Sequence, residues 1–161
     1  MDKFIIFASA RTGSTSLSKV LGESPDVKMA IEPFHEGFPT WNPGEKNYSK
    51  LITDPESMNK YLDEIFSKYN AIKVLDYQFP EETYFVMLKR SDFKILFLRR
   101  KNVAQSILSG LVGEQTSLWH KSENEDAYQN LKPIDITEME KKIKYQTEAN
   151  DTYEKFLEGN K

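Results

Sequence analysis

The chain has 161 residues, enough for one domain with a sizeable core, and its formal net charge of −3 gives no bulk attraction for nucleic acid. It has no cysteine, which excludes disulfides, thiolate catalysis, a cysteine-dependent phosphatase and Cys-based zinc sites; its two histidines, His35 and His120, are too few for a His-based metal site. No apolar run could span a bilayer and Phe4–Ala8 has no cleavage-site pattern, so a soluble cytoplasmic protein is expected.

Phe4–Ala8 is apolar on both alternating faces and reads as a central strand. A short loop of small and hydroxyl residues follows, then a helix over Ser14–Gly22 with Leu17, Val20 and Leu21 inward and Gly22 as its C-cap. That build suits an anion. A helix N-terminus offers unpaired N–H groups and the positive end of the dipole. Gly13 lets the backbone approach a ligand, Ser14, Thr15 and Ser16 add hydroxyl donors, and Arg11 adds a fixed cationic fork. The loop is not a Walker A: GxxxxGK[ST] is absent, and no lysine precedes Ser14 or Thr15. The pattern points to a phosphate-like ligand handled without the usual nucleotide–magnesium arrangement.

Val27–Ile31 reads as a second strand, and Glu32 to Lys50, rich in Pro and Gly, as loop. Asp54-Pro55-Glu56 is a helix start, after which Met58, Tyr61, Leu62, Ile65, Phe66 and Tyr69 keep helical spacing. Ala71–Leu75 is the third strand. Pro80–Lys89 is a helix with Tyr84, Phe85 and Leu88 as its stripe, and Lys94–Arg99 is a second strongly apolar strand. A helix from Asn102 to Leu111 comes next, then a polar loop from Gly113 to Pro133 containing the acidic stretch Glu123–Asp126. Thr137-x-x-Glu140 has the capping-box pattern and opens a long helix with Met139, Ile143, Tyr153 and Phe156 near one face. Strands alternating with helices predict an α/β fold, three-layered, with Phe4–Ala8, Ala71–Leu75 and Lys94–Arg99 as inner parallel strands and ligands at their carboxyl edge. Residues 1–161 are expected to form a single domain.

Arg11-Thr12-Gly13-Ser14-Thr15, directly after a strand, resembles the 5′-phosphosulfate loop of sulfotransferases that use 3′-phosphoadenosine 5′-phosphosulfate (PAPS). Lys94–Ser109 resembles their 3′-phosphate segment, in which a strand ends in arginine and a helical serine follows; Arg100 and Ser109 fit at nine positions apart, with Arg99 and Ser106 as alternatives. Ile31-Glu32-Pro33-Phe34-His35 resembles the Glu-Pro segment that supplies the catalytic carboxylate in heparan-type and related bacterial members. Ala71–Val74 and Thr116–His120 are similar to bacterial branches, more weakly. The resemblance runs from Lys3 to the final helix and implies the P-loop NTPase-like sulfotransferase fold. Relative to that family the chain is short at its C-terminus, which leaves closure over the nucleotide and the acceptor pocket open.

What the resemblance implies chemically is transfer of a sulfuryl group from PAPS, giving the product PAP, to a hydroxyl or amine of a small-molecule or carbohydrate acceptor. Arg11 would stabilise the bridging oxygen and Glu32 would take the acceptor proton, with His35 and Glu36 as its local competitors. Thr12, Gly13, Ser14, Thr15 and Ser16 would cradle the phosphosulfate with Arg11, and Arg100 and Ser109 would hold the 3′-phosphate. A sulfuryl group carries less charge than a terminal phosphoryl group, so no metal is expected; neither nucleic acid nor membrane is expected as a partner. Read without the resemblance, the loop is a plain strand–helix turn, Glu32 a surface carboxylate before a proline turn, Arg100 a solvated cation, Ser109 a helix-packing serine and Lys73 a strand-end charge. Trp119 and His120 read as loop packing. The alternative function is a non-catalytic domain that binds PAPS or PAP; a P-loop kinase lacks the Walker lysine and an obvious magnesium carboxylate.

Overall fold

The computed structural model of the chain describes residues 2–37, 46–118 and 128–159. Trp119, His120, the acidic stretch 123–126 and part of the loop after Glu32 lie outside these residues. In chain order the elements are β1 (Phe4–Ala8), α1 (Ser14–Gly22), β2 (Met29–Ile31), α2 (Pro55–Phe66), β3 (Ala71–Leu75), α3 (Glu81–Leu88), β4 (Lys94–Leu98), α4 (Val103–Thr116) and α5 (Ile136–Gly159). They fall into two compact units, Met1–Leu98 and Arg99–Gly159.

The first unit is built on a parallel sheet of order β2-β3-β1-β4. β1 is central, with Ile6 level with Lys73 on one side and Leu96 on the other. A strand flanked on both sides and covered on both faces is apolar at every position, which is why Ile5 to Ala8 are all fully buried. Alternation sends Ile6 and Ala8 to one face, where with Leu75 they pack against Leu17 and Leu21 of α1. Phe7 points to the other face, where its ring meets Tyr84 of α3. Helices therefore cover both faces of the sheet, and the four-strand all-parallel sheet with five helices among the described residues is consistent with a three-layer α/β fold.

Three expectations change. Lys94–Leu98 is an edge strand among the described residues, not an inner one, and Leu96 is 46% exposed. An apolar run cannot by itself tell a strand with two neighbours from one with a single neighbour. β2 is shorter than expected, beginning at Met29. In α1, Leu17 and Leu21 pack inward but Val20 is exposed, and the helix runs through Gly22 to a right-handed cap at Glu23. α2 starts as its sequence predicts: the Asp54 carboxylate accepts from the Ser57 N–H at 2.8 Å, and the Ser57 hydroxyl accepts from the Asp54 N–H at 3.1 Å.

The second unit holds α4 and α5, which pack against each other. α4 passes the expected end at Leu111 and continues to Thr116, ending at a left-handed Ser117. Gly113 is buried within it; a mid-helix glycine costs about 1 kcal/mol relative to alanine, an amount that packing overrides. The cap of α5 is Asp135, not Thr137: its carboxylate accepts from the Thr137 and Glu138 N–H groups at 2.8 and 3.2 Å.

Candidate functional site

The loop leaving β1 at the carboxyl edge of the sheet contains two left-handed residues, Arg11 (φ 61°) and Gly13 (φ 87°). An added Cβ at Gly13 would meet nothing, so glycine is required there by its dihedral and not by space. Arg11 adopts the same region without that freedom, at a cost of order 1 kcal/mol or more. Such residues turn neighbouring N–H groups to one side, as backbone anion nests do. The Thr12 hydroxyl donates to the Ser9 carbonyl at 2.8 Å and ties the turn down. Gly13 is the N-cap of α1, no side chain caps the helix, and its first turn has no acid. Among the described residues the N–H groups of Ser14, Thr15 and Ser16 are thus left uncapped at the positive end of the helix. The first turns of α2, α3 and α5 each contain glutamate.

Glu32 follows β2 directly and is also left-handed, with φ 54°. Its N–H donates to the Lys73 carbonyl at 3.1 Å, which holds it beside β3. Lys73 is 1% exposed, in the middle of an otherwise apolar strand. Its ammonium donates to Glu32 Oε1 at 2.5 Å and to Thr15 Oγ1 at 2.6 Å. Burial pushes the Lys73 pKa down from its ordinary value, and the Glu32 charge and hydrogen bond act against that shift. One cation thus joins three elements: β2 through Glu32, β3 through its own strand, and α1 through Thr15. Glu32 Oε2 accepts no hydrogen bond among the described residues. The competing groups stand differently. His35 Nδ1 accepts from the Gly37 N–H at 2.9 Å, and Glu36 is exposed.

Tyr77, on the turn after β3, is 58% exposed over its whole side chain, yet local desolvation and then the Glu32 and Asp76 charges push its phenol up to about 12. The exposed ring makes the carboxylates the firmer cause. The turn is held by the Tyr84 hydroxyl, which donates to the Leu75 carbonyl and accepts from the Phe79 N–H, both at 2.7 Å.

In the second unit a cleft of about 630 Å³ is lined by Arg99, Arg100, Asn102, Val103, Ile143 and Asn150, among others. It opens at the start of α4, where Asn102 Oδ1 accepts from the Gln105 N–H at 3.0 Å and the first turn has no acid. Arg99 is bound by α5: its Nη2 lies 2.7 and 2.8 Å from the two Glu154 oxygens, and its Nη1 lies 3.9 Å from Asp151. Arg100, half-buried, makes no ion pair and no side-chain hydrogen bond among the described residues. Neither serine lines the cleft. Ser109 lies further along α4, about 9 Å up the axis from its first residue at 1.5 Å per residue. Ser106 is buried, and its hydroxyl has no hydrogen-bond partner among the described residues.

Sequence reasoning placed the loop and Glu32 on separate elements and weighed Lys73 as a strand-end charge; it missed that Lys73, in mid-strand, joins them. The signal was present: a lysine inside Ala71-Ile72-Lys73-Val74-Leu75 must be buried on a central strand, and a buried ammonium requires acceptors. Among the described residues no group of three or more His, Asp or Glu could hold a metal ion, and no helix is long and apolar enough to cross a membrane. No protein-family model, curated protein or solved structure matches this chain.

Proposed function

We propose that this chain is a PAPS-dependent sulfotransferase on a P-loop NTPase-like sulfotransferase fold, acting on a hydroxyl or amine of a small-molecule or carbohydrate acceptor. The observation that carries the proposal is the hydrogen-bonded link from the first turn of α1 through Lys73 to Glu32. It brings an anion cradle without a Walker lysine next to a carboxylate. In-line sulfuryl transfer needs a cradle for the leaving phosphate on one side of sulfur and a proton acceptor on the other. The uncapped N–H groups of residues 14–16, the hydroxyls of Ser14, Thr15 and Ser16, and Arg11 would serve the phosphosulfate, while the Thr12 hydroxyl, already given to the Ser9 carbonyl, would hold the loop in shape. Glu32 Oε2 would serve the acceptor proton. Arg100 would hold the 3′-phosphate at the acid-free start of α4, and Ser109 takes part only if that segment adjusts.

The Glu32–Lys73 ion pair also favours a second reading, a domain that binds PAPS or PAP without transfer, because the carboxylate already has a cationic partner. Thermal unfolding tests the shared part. PAP at 100 times its Kd should stabilise the chain by about 2.7 kcal/mol, and ATP–Mg²⁺ at the same concentration should not. Stabilisation by ATP–Mg²⁺ alone would end both readings. Sulfuryl transfer from PAPS, tested on a panel of hydroxylated and amino acceptors, then separates enzyme from binding domain.

A further inference from the structure

We infer that Lys73 is a positioning residue whose single ammonium orients both the hydroxyl that meets the anion and the carboxylate that takes the proton. This rests on the sulfotransferase reading above. An ammonium has three N–H donors and accepts nothing. Lys73 gives one donor to Thr15 Oγ1 at 2.6 Å and another to Glu32 Oε1 at 2.5 Å. Thr15 has one hydroxyl proton. With Lys73 on a lone pair, that proton cannot point at Lys73 and is left to donate elsewhere, from the same first turn whose N–H groups are uncapped. Glu32 has two oxygens. With Oε1 held by Lys73, Oε2 is the one left for a proton.

The charge movement during transfer gives this arrangement a purpose. The acceptor oxygen forms its bond to sulfur, and its proton passes to Glu32 Oε2. The bond between sulfur and the bridging phosphate oxygen breaks, and its electron pair stays on the phosphate. The buried pair changes from neutral to a net charge of +1, while the loop side gains one negative charge. A lone buried positive charge is costly unless a negative charge develops beside it. Lys73 stands between the two, one hydrogen bond from each. A lysine present only to neutralise Glu32 would need no bond to Thr15.

The test uses the full chain, PAP as binding probe and sulfate release from PAPS to water as the turnover assay. Lys73→Met leaves Glu32 without its cation and can fail to fold, so Glu32→Gln and the double variant Glu32→Gln/Lys73→Met are compared. Both lack the carboxylate, and the double removes the two charges together. The double variant should bind PAP about 10-fold more weakly than Glu32→Gln, the worth of one hydrogen bond to a charged group. Thr15→Val should weaken PAP binding similarly, Thr15→Ser should not, and adding Lys73→Met to Glu32→Gln/Thr15→Val should cost little more, because Lys73 acts through that hydroxyl. Wild type should release sulfate faster than Glu32→Gln. PAP binding by wild type with equal affinity in Glu32→Gln and the double variant overturns the inference about Lys73 and leaves the sulfotransferase reading standing. So does full additivity of Lys73 and Thr15. No PAP binding by wild type removes that reading, and the inference with it.

Discussion

Two cationic regions of this chain are built in opposite ways. Around Lys73 the charges are buried and every partner is supplied by the fold: Glu32 on one side, Thr15 on the other. Around Arg99 and Arg100 the charges stand at the rim of a cleft, one arginine bound to surface acids of α5 and the other without an ion pair among the described residues. A buried pair is costly to break, because the survivor is left charged in a low dielectric. A surface pair contributes about 1 kcal/mol or less, and its loss exposes nothing. The first region is thus tied to folding, while in the second only Arg100 of the two arginines is without an ion pair among the described residues.

The largest expected effect tests the closed region. Lys73→Ala strands the Glu32 carboxylate and should destabilise the protein by about 3–5 kcal/mol, read by urea unfolding. Glu32→Gln/Lys73→Met should recover much of that loss. A fully stable Lys73→Ala would mean that the pair is wet and that the contrast with the arginine cleft is false.

Glu32→Gln keeps the shape of the side chain and removes a base. PAP affinity should stay nearly unchanged while turnover falls by about 10²-fold or more. Near-normal turnover would transfer the role to Glu36 or His35. Arg11→Ala should lower both quantities, since its charge acts on bound nucleotide and on the transition state.

For the open region, Arg100→Ala should cost about 1.5–3 kcal/mol of PAP binding. Its unfolding free energy should change by no more than about 0.5 kcal/mol, as is usual for surface positions. Arg99→Ala should weaken PAP binding less, because Glu154 already engages that guanidinium. A larger loss from Arg99 than from Arg100, measured calorimetrically, would reverse their roles.

The smallest effect concerns how the two units start their helices. The Asp54 carboxylate is held below its usual range, first by the Ser57 N–H and then by the Thr53 hydroxyl. A carboxylate with a depressed folded value stabilises fully above its unfolded value near 3.8, and that contribution is lost as pH falls through the folded value. α4 is capped by neutral Asn102 and has no such dependence. Asp54→Asn keeps a capping oxygen. Its Tm should therefore drop less than that of wild type between pH 5 and pH 3, while the two match near pH 6 within about a degree. Equal acid sensitivity would show that Asp54 is not among the groups driving acid unfolding.

Much of the fold was legible because each signal was local. Phe4–Ala8 and Ala71–Leu75 are unbroken apolar runs, and both strands carry those bounds. Asp54-Pro55 begins α2 because a carboxylate cap and a proline in the first turn act within four residues. The misread helix ends came from competing local signals. Gly113 reads as a helix end until packing outweighs its propensity, and Thr137-x-x-Glu140 reads as a cap until Asp135, two residues earlier, takes the N–H groups. The candidate site divided the same way. The Arg11–Ser16 loop follows from its own residues, and Glu32 follows from its place after a strand. That Glu32 meets Lys73 and Lys73 meets Thr15 depends on contacts spanning 41 and 58 residues.

By itself, the sequence determined the order of strands and helices, that the chain has no thiol chemistry, and that a cysteine-free, hydroxyl-rich loop carrying Arg11 opens the first helix. Those properties depend on side-chain period, backbone dihedrals and composition, which neighbouring residues set. Only the tertiary structure decided that β4 is an edge strand among the described residues, that Ser106 and Ser109 do not line the cleft beside Arg100, and that Lys73 is the hub of the buried network. Strand order and burial arise when distant segments pair, and the cost of an unpaired buried charge then selects which residues meet.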